Sequence, residues 1–220
     1  MSKKCTVCTD QFTESSCQTC LADLRSNFSL KTDRSPSEYL DSLIYFGEYH
    51  CIAKQYIHNC KFLKQQKVYD TIAKYISLEI GSLPIKSLIT YVPSSWLRFF
   101  MICFNTSKVL AKNLAEYTKS DFTKVFKRIR SHRSLTTMNR RERIAYNAQS
   151  YTYLKPEALK DINNLYLVDD IFTTGSTLDT LAKLAKTTNP QLKITAICFV
   201  KTPLERIKLL NAISPEVYLN

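Results

Sequence analysis

Two clusters of residues in this chain have the types and spacing to do chemistry. The first is the run Leu165-Tyr166-Leu167-Val168-Asp169-Asp170-Ile171-Phe172-Thr173-Thr174-Gly175-Ser176-Thr177-Leu178. An apolar strand there delivers two adjacent carboxylates, Asp169 and Asp170. A hydroxyl-rich loop with one glycine follows, and then a helix begins. Thr173, Thr174, Ser176 and Thr177 bring four hydroxyls, with backbone N–H groups, to a helix N-terminus. That combination favours a phosphate. Gly175 permits positive φ and close backbone approach. Carboxylates beside a phosphate cradle suit ribose hydroxyls, which are donors. Two aspartates after a strand, or a Thr/Ser run, read separately as a solvated loop or a turn. In the order strand, acidic pair, Thr-Gly loop, helix, they point to a ligand site.

The second cluster is Cys5, Cys8, Cys17 and Cys20, spaced Cys-x2-Cys-x8-Cys-x2-Cys. Each Cys-x2-Cys pair can place two thiolates on one metal, and two pairs complete a tetrahedral shell that suits structural Zn²⁺. An iron–sulfur site and a plain set of reduced thiols are the alternatives. A segment of about 20 residues buries too little apolar surface to fold alone, so the metal would supply its folding energy. Cys51, Cys60, Cys103 and Cys198 are scattered and read as small buried hydrophobes.

A basic segment lies between these clusters in sequence. Residues 119–143 hold nine Lys or Arg against Asp121 and Glu142, a net +7, out of +12 for the chain. Six of the ten arginines fall there within 16 residues: Arg128, Arg130, Arg133, Arg140, Arg141 and Arg143. Arginine's planar fork matches phosphate better than lysine's point charge. The segment fits a flexible active-site loop that grips pyrophosphate, a nucleic-acid contact, or a solvated charged helix. Phe122, Phe126, Tyr146, Tyr151 and Tyr153 are near enough in sequence to stack on unpaired bases, or to be core residues. His50, His58 and His132 form no readable catalytic centre, and Trp96 reads as packing.

The elements that must position these residues follow from periodicity. Leu43–Tyr49, Leu88–Val92, Leu165–Val168 and Ile194–Val200 read as strands. Lys67–Leu78, Phe104–Tyr117 and Leu178–Ala185 have helical spacing. Strands separated by helices predict an α/β fold with a doubly wound parallel sheet. Residues 1–35 read as a zinc-binding element and linker, with Ser26–Pro36 as the linker, and residues 36–220 as the main domain. The 220 residues allow one α/β domain with such an appendage. With 45% hydrophobic and 11% aromatic residues the chain is not a disordered tail. No apolar stretch follows Met1–Cys5, so no signal peptide is expected. No run approaches the roughly 20 apolar residues of a membrane span. A soluble, cytoplasmic protein is expected.

Val168–Leu178 resembles the phosphoribosyl-pyrophosphate (PRPP) motif of type I phosphoribosyltransferases. The resemblance implies that Asp169 and Asp170 meet the ribose 2′ and 3′ hydroxyls. It implies that Thr173, Thr174, Gly175, Ser176 and Thr177 hold the 5′-phosphate, with Mg²⁺ bridging pyrophosphate and ribose oxygens. A four-cysteine element ahead of such a domain resembles the ComF family, associated with natural competence. That family's pattern Val-Pro, then Arg-x3-Arg-Gly-Phe-Asn, is matched by Val92-Pro93, Arg98 and Phe104-Asn105, with Ile102 and Cys103 in place of the second arginine and the glycine. Lys127–Ala148 is similar to the family's basic loop, with His132 where a glutamine is usual. The resemblance implies a protein that binds PRPP and single-stranded DNA and handles incoming DNA alongside DNA-uptake and processing proteins. An active phosphoribosyltransferase releasing pyrophosphate, and a PRPP-sensing nucleic-acid-binding regulator, are the alternatives. No segment identifies an acceptor.

Overall fold

Two nine-residue runs, Asn164–Phe172 and Lys193–Lys201, form the centre of the sheet, and their side chains alternate between two separate cores. A strand buried on both faces must be apolar along its buried length, as Leu165–Val168 is and as Ile194–Val200 is apart from Thr195. The computed structural model describes residues 3–4, 11–12, 17–34, 36–49, 53–54, 56–57, 66–94, 104–129, 150–203 and 205.

In chain order the elements are β1 (Lys3–Lys4), β2 (Gln11–Phe12), α1 (Gln18–Asn27), β3 (Lys31–Arg34), β4 (Ser42–Tyr45), α2 (Gln66–Ile80), β5 (Ser87–Tyr91), α3 (Thr106–Thr118), β6 (Asp121–Phe122), β7 (Phe126–Arg128), β8 (Tyr151–Tyr153), a 3-10 turn (Pro156–Leu159), β9 (Asn164–Phe172), α4 (Ser176–Thr188) and β10 (Lys193–Lys201). Six strands form one sheet in the order β3-β4-β10-β9-β5-β6. Every neighbouring pair in it is parallel except β3 with β4. Two antiparallel pairs, β1 with β2 and β7 with β8, stand outside it.

Period-two alternation sends Tyr166 and Val168 of β9 to one face and Leu165 and Leu167 to the other. On the first face α1, α2 and α3 bury Leu24, Ile72, Ile76, Leu110 and Leu114. On the second, α4 buries Leu178, Leu181, Ala182 and Ala185. The result is an α/β fold with a mostly parallel six-stranded sheet and four described helices on its two faces, compatible with a doubly wound fold. Among the described residues no helix is long and apolar enough to cross a membrane.

Several elements differ from the sequence expectation, each for a tertiary reason. The stretch 26–36, expected as a linker, holds the end of α1 and the edge strand β3. Lys31-Thr32-Asp33-Arg34 has no apolar alternation because an edge strand can leave its side chains in water; its pairing with β4 creates it. The expected strand Leu43–Tyr49 ends at Tyr45. Beyond it, Phe46 N–H donates to the Phe199 carbonyl at 3.0 Å and Tyr49 N–H to the Lys201 carbonyl at 2.8 Å. Phe28 lies against Gly47, where a Cβ would meet its Cδ1 at 2.8 Å. The strand expected at Leu165–Val168 runs on to Phe172, which places both carboxylates inside β9.

The segment preceding β4 is tied along α4. Ser37 Oγ and Tyr39 N–H donate to Asp179 Oδ1 at 2.5 and 2.8 Å. The Lys183 ammonium lies 5.2 Å from the Tyr39 ring centre. Lys186 pairs with Asp41 at 3.2 Å, and Asp41 also accepts from Ile194 N–H at 2.7 Å. These contacts lie on successive turns of α4.

Helix α1 also belongs to this body. Leu21, Leu24 and Phe28 enter the first core, Tyr75 donates to the Phe28 carbonyl at 2.8 Å, and Tyr56 donates to Asp23 at 2.6 Å. Leu24 is fully buried, so Leu24→Ala is expected to lower global stability by about 2–5 kcal/mol. Urea unfolding checks this: one cooperative transition at a lower midpoint is expected, and an unchanged midpoint would detach α1 from the core.

Candidate functional site

Neighbouring strands β5 and β9 send their chains to opposite sides of the sheet. β5 leads to α3 on the first face, and β9 leads to α4 on the second. Where the winding reverses in this way, a crevice opens at the carboxyl ends of the strands, and open α/β sheets bind ligands there. Asp169, Asp170, the 173–175 loop and the first turns of both helices meet at that crevice.

The two carboxylates differ in their surroundings. Asp170 is 4% exposed. Its Oδ2 accepts from Tyr69 Oη of α2 at 3.3 Å and from Thr106 Oγ1 of α3 at 3.1 Å. Asp169 is half-buried. Its Oδ1 accepts from Ser107 Oγ at 2.6 Å and from the Asp170 backbone N–H at 2.9 Å. Adjacent residues of a strand point to opposite faces, which separates two like charges and gives each its own donors. Asn105 starts α3, with its side-chain oxygen accepting from Lys108 N–H at 3.0 Å and its amide donating to the Val92 carbonyl at 3.3 Å. The cap therefore holds Thr106 and Ser107 against the end of β5. Tyr69, Thr106 and Ser107 carry no signal as site residues in the sequence; Phe104-Asn105, just before Thr106 and Ser107, does.

The loop after β9 has the geometry of an anion cradle. Gly175 has φ 74° and ψ −7° and caps α4 with no side chain of its own, and the first helical amide, Ser176 N–H, donates to Thr174 Oγ1 at 3.4 Å. A Cβ there would meet Phe172 Cζ at 2.6 Å and Cε2 at 3.0 Å, so the position requires glycine for conformation and for space. Thr173, Thr174 and Ser176 are exposed, and Thr177 is half-buried. Thr174 Oγ1 donates to Ser176 Oγ at 3.1 Å. The positive helix end and the exposed hydroxyls beside it favour a phosphate at this position.

Cys198 of β10 stands in register with Asp169 and is fully buried. Burial, then the charges of Asp169 and Asp170, push its thiol pKa well up. It remains a protonated thiol and packs as a small hydrophobe.

Among the described residues no group of three or more His, Cys, Asp or Glu could hold a metal. Asp169 supplies a hard carboxylate near the cradle, which fits Mg²⁺ carried in largely by a ligand's phosphates, the usual manner for that ion. Cys17 and Cys20 are both buried, with Cys17 capping α1 and Cys20 in its first turn. Two cysteines three residues apart at one helix start suit half of a zinc shell. Cys5 and Cys8 lie outside the described residues.

Of the arginine cluster, Arg128 is described; Arg130, Arg133, Arg140, Arg141 and Arg143 lie outside the described residues, as do His50, His58, Trp96, Arg98, Ile102, Cys103, His132 and Tyr146. Arg128 ends β7, with its guanidinium 5.4 Å from the Tyr151 ring centre. β7 and β8 form an antiparallel stem, and Ile129 N–H donates to the Ser150 carbonyl at 2.9 Å. Ile129 and Ser150 flank residues 130–149, which carry five arginines and one glutamate in sequence. Phe126 and Tyr151 are buried, Phe122 stacks on Tyr91 at 6.0 Å, and Tyr153 is bonded to Thr188 at 2.7 Å. Phe126 and Tyr151 are therefore core residues and offer no platform to a base. No protein-family model and no curated protein matches the chain.

The two positive-φ glycines separate strain from contact. Gly81 has φ 68° and no atom within 4 Å of a built Cβ, whereas Gly175 meets Phe172. Gly81→Ala is expected to cost about 1 kcal/mol, the usual left-handed penalty. Gly175→Ala is expected to cost about 2–4 kcal/mol, because overpacking adds to that penalty. Thermal unfolding of the pair checks this; equal costs would show that Phe172 moves aside freely.

Proposed function

We propose that this chain is a ComF-type protein that binds PRPP at the β9–α4 crevice and single-stranded DNA on its arginine-rich segment, handling incoming DNA in the cytoplasm. The observation that carries this reading is the pairing of a held, half-exposed carboxylate with a glycine-capped helix N-terminus at the end of one strand. A sugar diol and a phosphate on one ligand need those two groups.

In this reading the backbone of 173–177 holds the 5′-phosphate, and the α4 dipole adds to the attraction. Asp169 accepts from a ribose hydroxyl. Asp170 sits behind it, and its contribution passes through the fixed position of the strand end. Mg²⁺, when bound with the ligand, would neutralise pyrophosphate charge. Arg128 and the arginines of 130–149 supply further cationic groups to pyrophosphate or to the DNA backbone. Cys5, Cys8, Cys17 and Cys20 would hold Zn²⁺ as a brace at the start of α1. Binding to DNA through phosphates positions the strand and reads no sequence.

Isothermal titration with PRPP and Mg²⁺ tests the site. Micromolar binding is expected, with at least a tenfold loss in Asp169→Asn, since a hydrogen bond to a charged group contributes about 1.5–3 kcal/mol. Equal affinity in the variant would sink the assignment. Pyrophosphate release on adding a nucleobase would instead establish the transferase alternative.

A salt series with a labelled single-stranded oligonucleotide tests the second ligand. For single strands the slope of log K against log salt falls by about 0.7 per phosphate contact. Replacing Arg140, Arg141 and Arg143 by Gln is therefore expected to flatten the slope by about 2. A slope that does not change places DNA elsewhere on the surface.

A further inference from the structure

The first turn of α3 touches both carboxylates of the crevice with consecutive hydroxyls. Thr106 donates to Asp170 at 3.1 Å, and Ser107 donates to Asp169 at 2.6 Å. Thr106 and Ser107 are themselves 6% and 5% exposed, so neither contact is a surface accident. The helix that supplies them follows β5, the strand beside β9, and Asn105 caps it against Val92. The two sides of the crevice are thus joined by hydrogen bonds.

A carboxylate on a strand end has a freely turning terminal torsion. Two donors on one oxygen fix that torsion. Ser107 Oγ and the Asp170 N–H both bond Asp169 Oδ1, so they define the plane of the carboxylate and the direction in which its other oxygen faces. The Asp170 N–H comes from the same strand and is always present. Ser107 comes from α3 and so is a contact that ties Asp169 to the other wall of the crevice. Serine, unlike alanine or valine, gives this donor at a buried position.

We infer that Ser107 is a positioning residue that fixes the Asp169 carboxylate for a vicinal diol on the bound ligand, and so sets selectivity for ribose-bearing phosphates over pyrophosphate alone. This rests on the PRPP-site reading proposed above. It names no contact between Ser107 and the ligand, and it predicts that the effect of Ser107 vanishes when Asp169 cannot respond.

The test uses the full chain with Mg²⁺ and three probes: PRPP, ribose 5-phosphate and inorganic pyrophosphate. Ser107→Ala is expected to bind PRPP and ribose 5-phosphate about tenfold more weakly and to bind pyrophosphate as the parent protein does. Ser107→Thr, which keeps the hydroxyl, is expected to recover most of the loss. In an Asp169→Asn background, Ser107→Ala is expected to have an effect of less than twofold, because the cycle isolates the pair. Thermal unfolding of each variant shows whether the fold is kept. Equal loss for all three probes, or an undiminished effect in the Asp169→Asn background, would assign Ser107 to general packing and overturn the inference. Normal PRPP binding by Ser107→Ala, with binding lost in Asp169→Asn, would overturn it while leaving the PRPP site intact. Absence of PRPP binding in the parent protein would overturn both.

Discussion

A carboxylate that is 4% exposed sits at the centre of this fold, and much of the surrounding architecture serves to accommodate it. Taking an ionised group out of water costs several kcal/mol unless donors replace the lost hydration. Asp170 obtains donors from Tyr69 of α2 and Thr106 of α3. Both helices must therefore pass close to the carboxyl end of β9, with their first core packed beneath. The contact between α2 and α3 is itself tied by Tyr117, which donates to Asp70 at 2.9 Å. Burial pushes the Asp70 carboxyl upward, and that hydrogen bond works against the shift.

The same strand end also controls what faces outward. Asp169 is one residue away and on the other side of the pleat, so holding Asp170 inside leaves Asp169 at the crevice. Three residues further on, Phe172 turns under Gly175 and admits no side chain there. Where the chain leaves the sheet, the first amide of α4, Ser176 N–H, meets the Thr174 hydroxyl at 3.4 Å. A buried carboxyl group and a glycine-capped helix start thus lie at the end of one nine-residue strand.

Segments that look peripheral in the chain are tied to this centre. Residues 37–41 run along α4 through Asp179, Lys183 and Lys186, and so fix the helix that bears the phosphate-favouring end. Helix α1, which begins at the second cysteine pair, packs Leu21 and Leu24 into the core beside α2. The β7–β8 pair sets Ile129 beside Ser150, the described residues on either side of 130–149.

Local chemistry alone determined a good part of this protein. The apolar runs around Leu88, Leu165 and Ile194, and the helical spacing at 67–78 and 178–185, identified the elements, because burial on one or two faces imposes a period that any reader can count. Asp169, Asp170 and Gly175 were legible because their chemistry is local: two charges, a left-handed glycine and a helix start within a few residues. Tertiary structure decided the rest. The polar run 31–34 became a strand through pairing with β4. Phe126 and Tyr151 became core. Above all, Tyr69, Thr106 and Ser107 joined the acidic pair from positions roughly 60 to 100 residues away, since ordinary hydroxyl side chains gain a role only from what the fold sets within hydrogen-bonding reach.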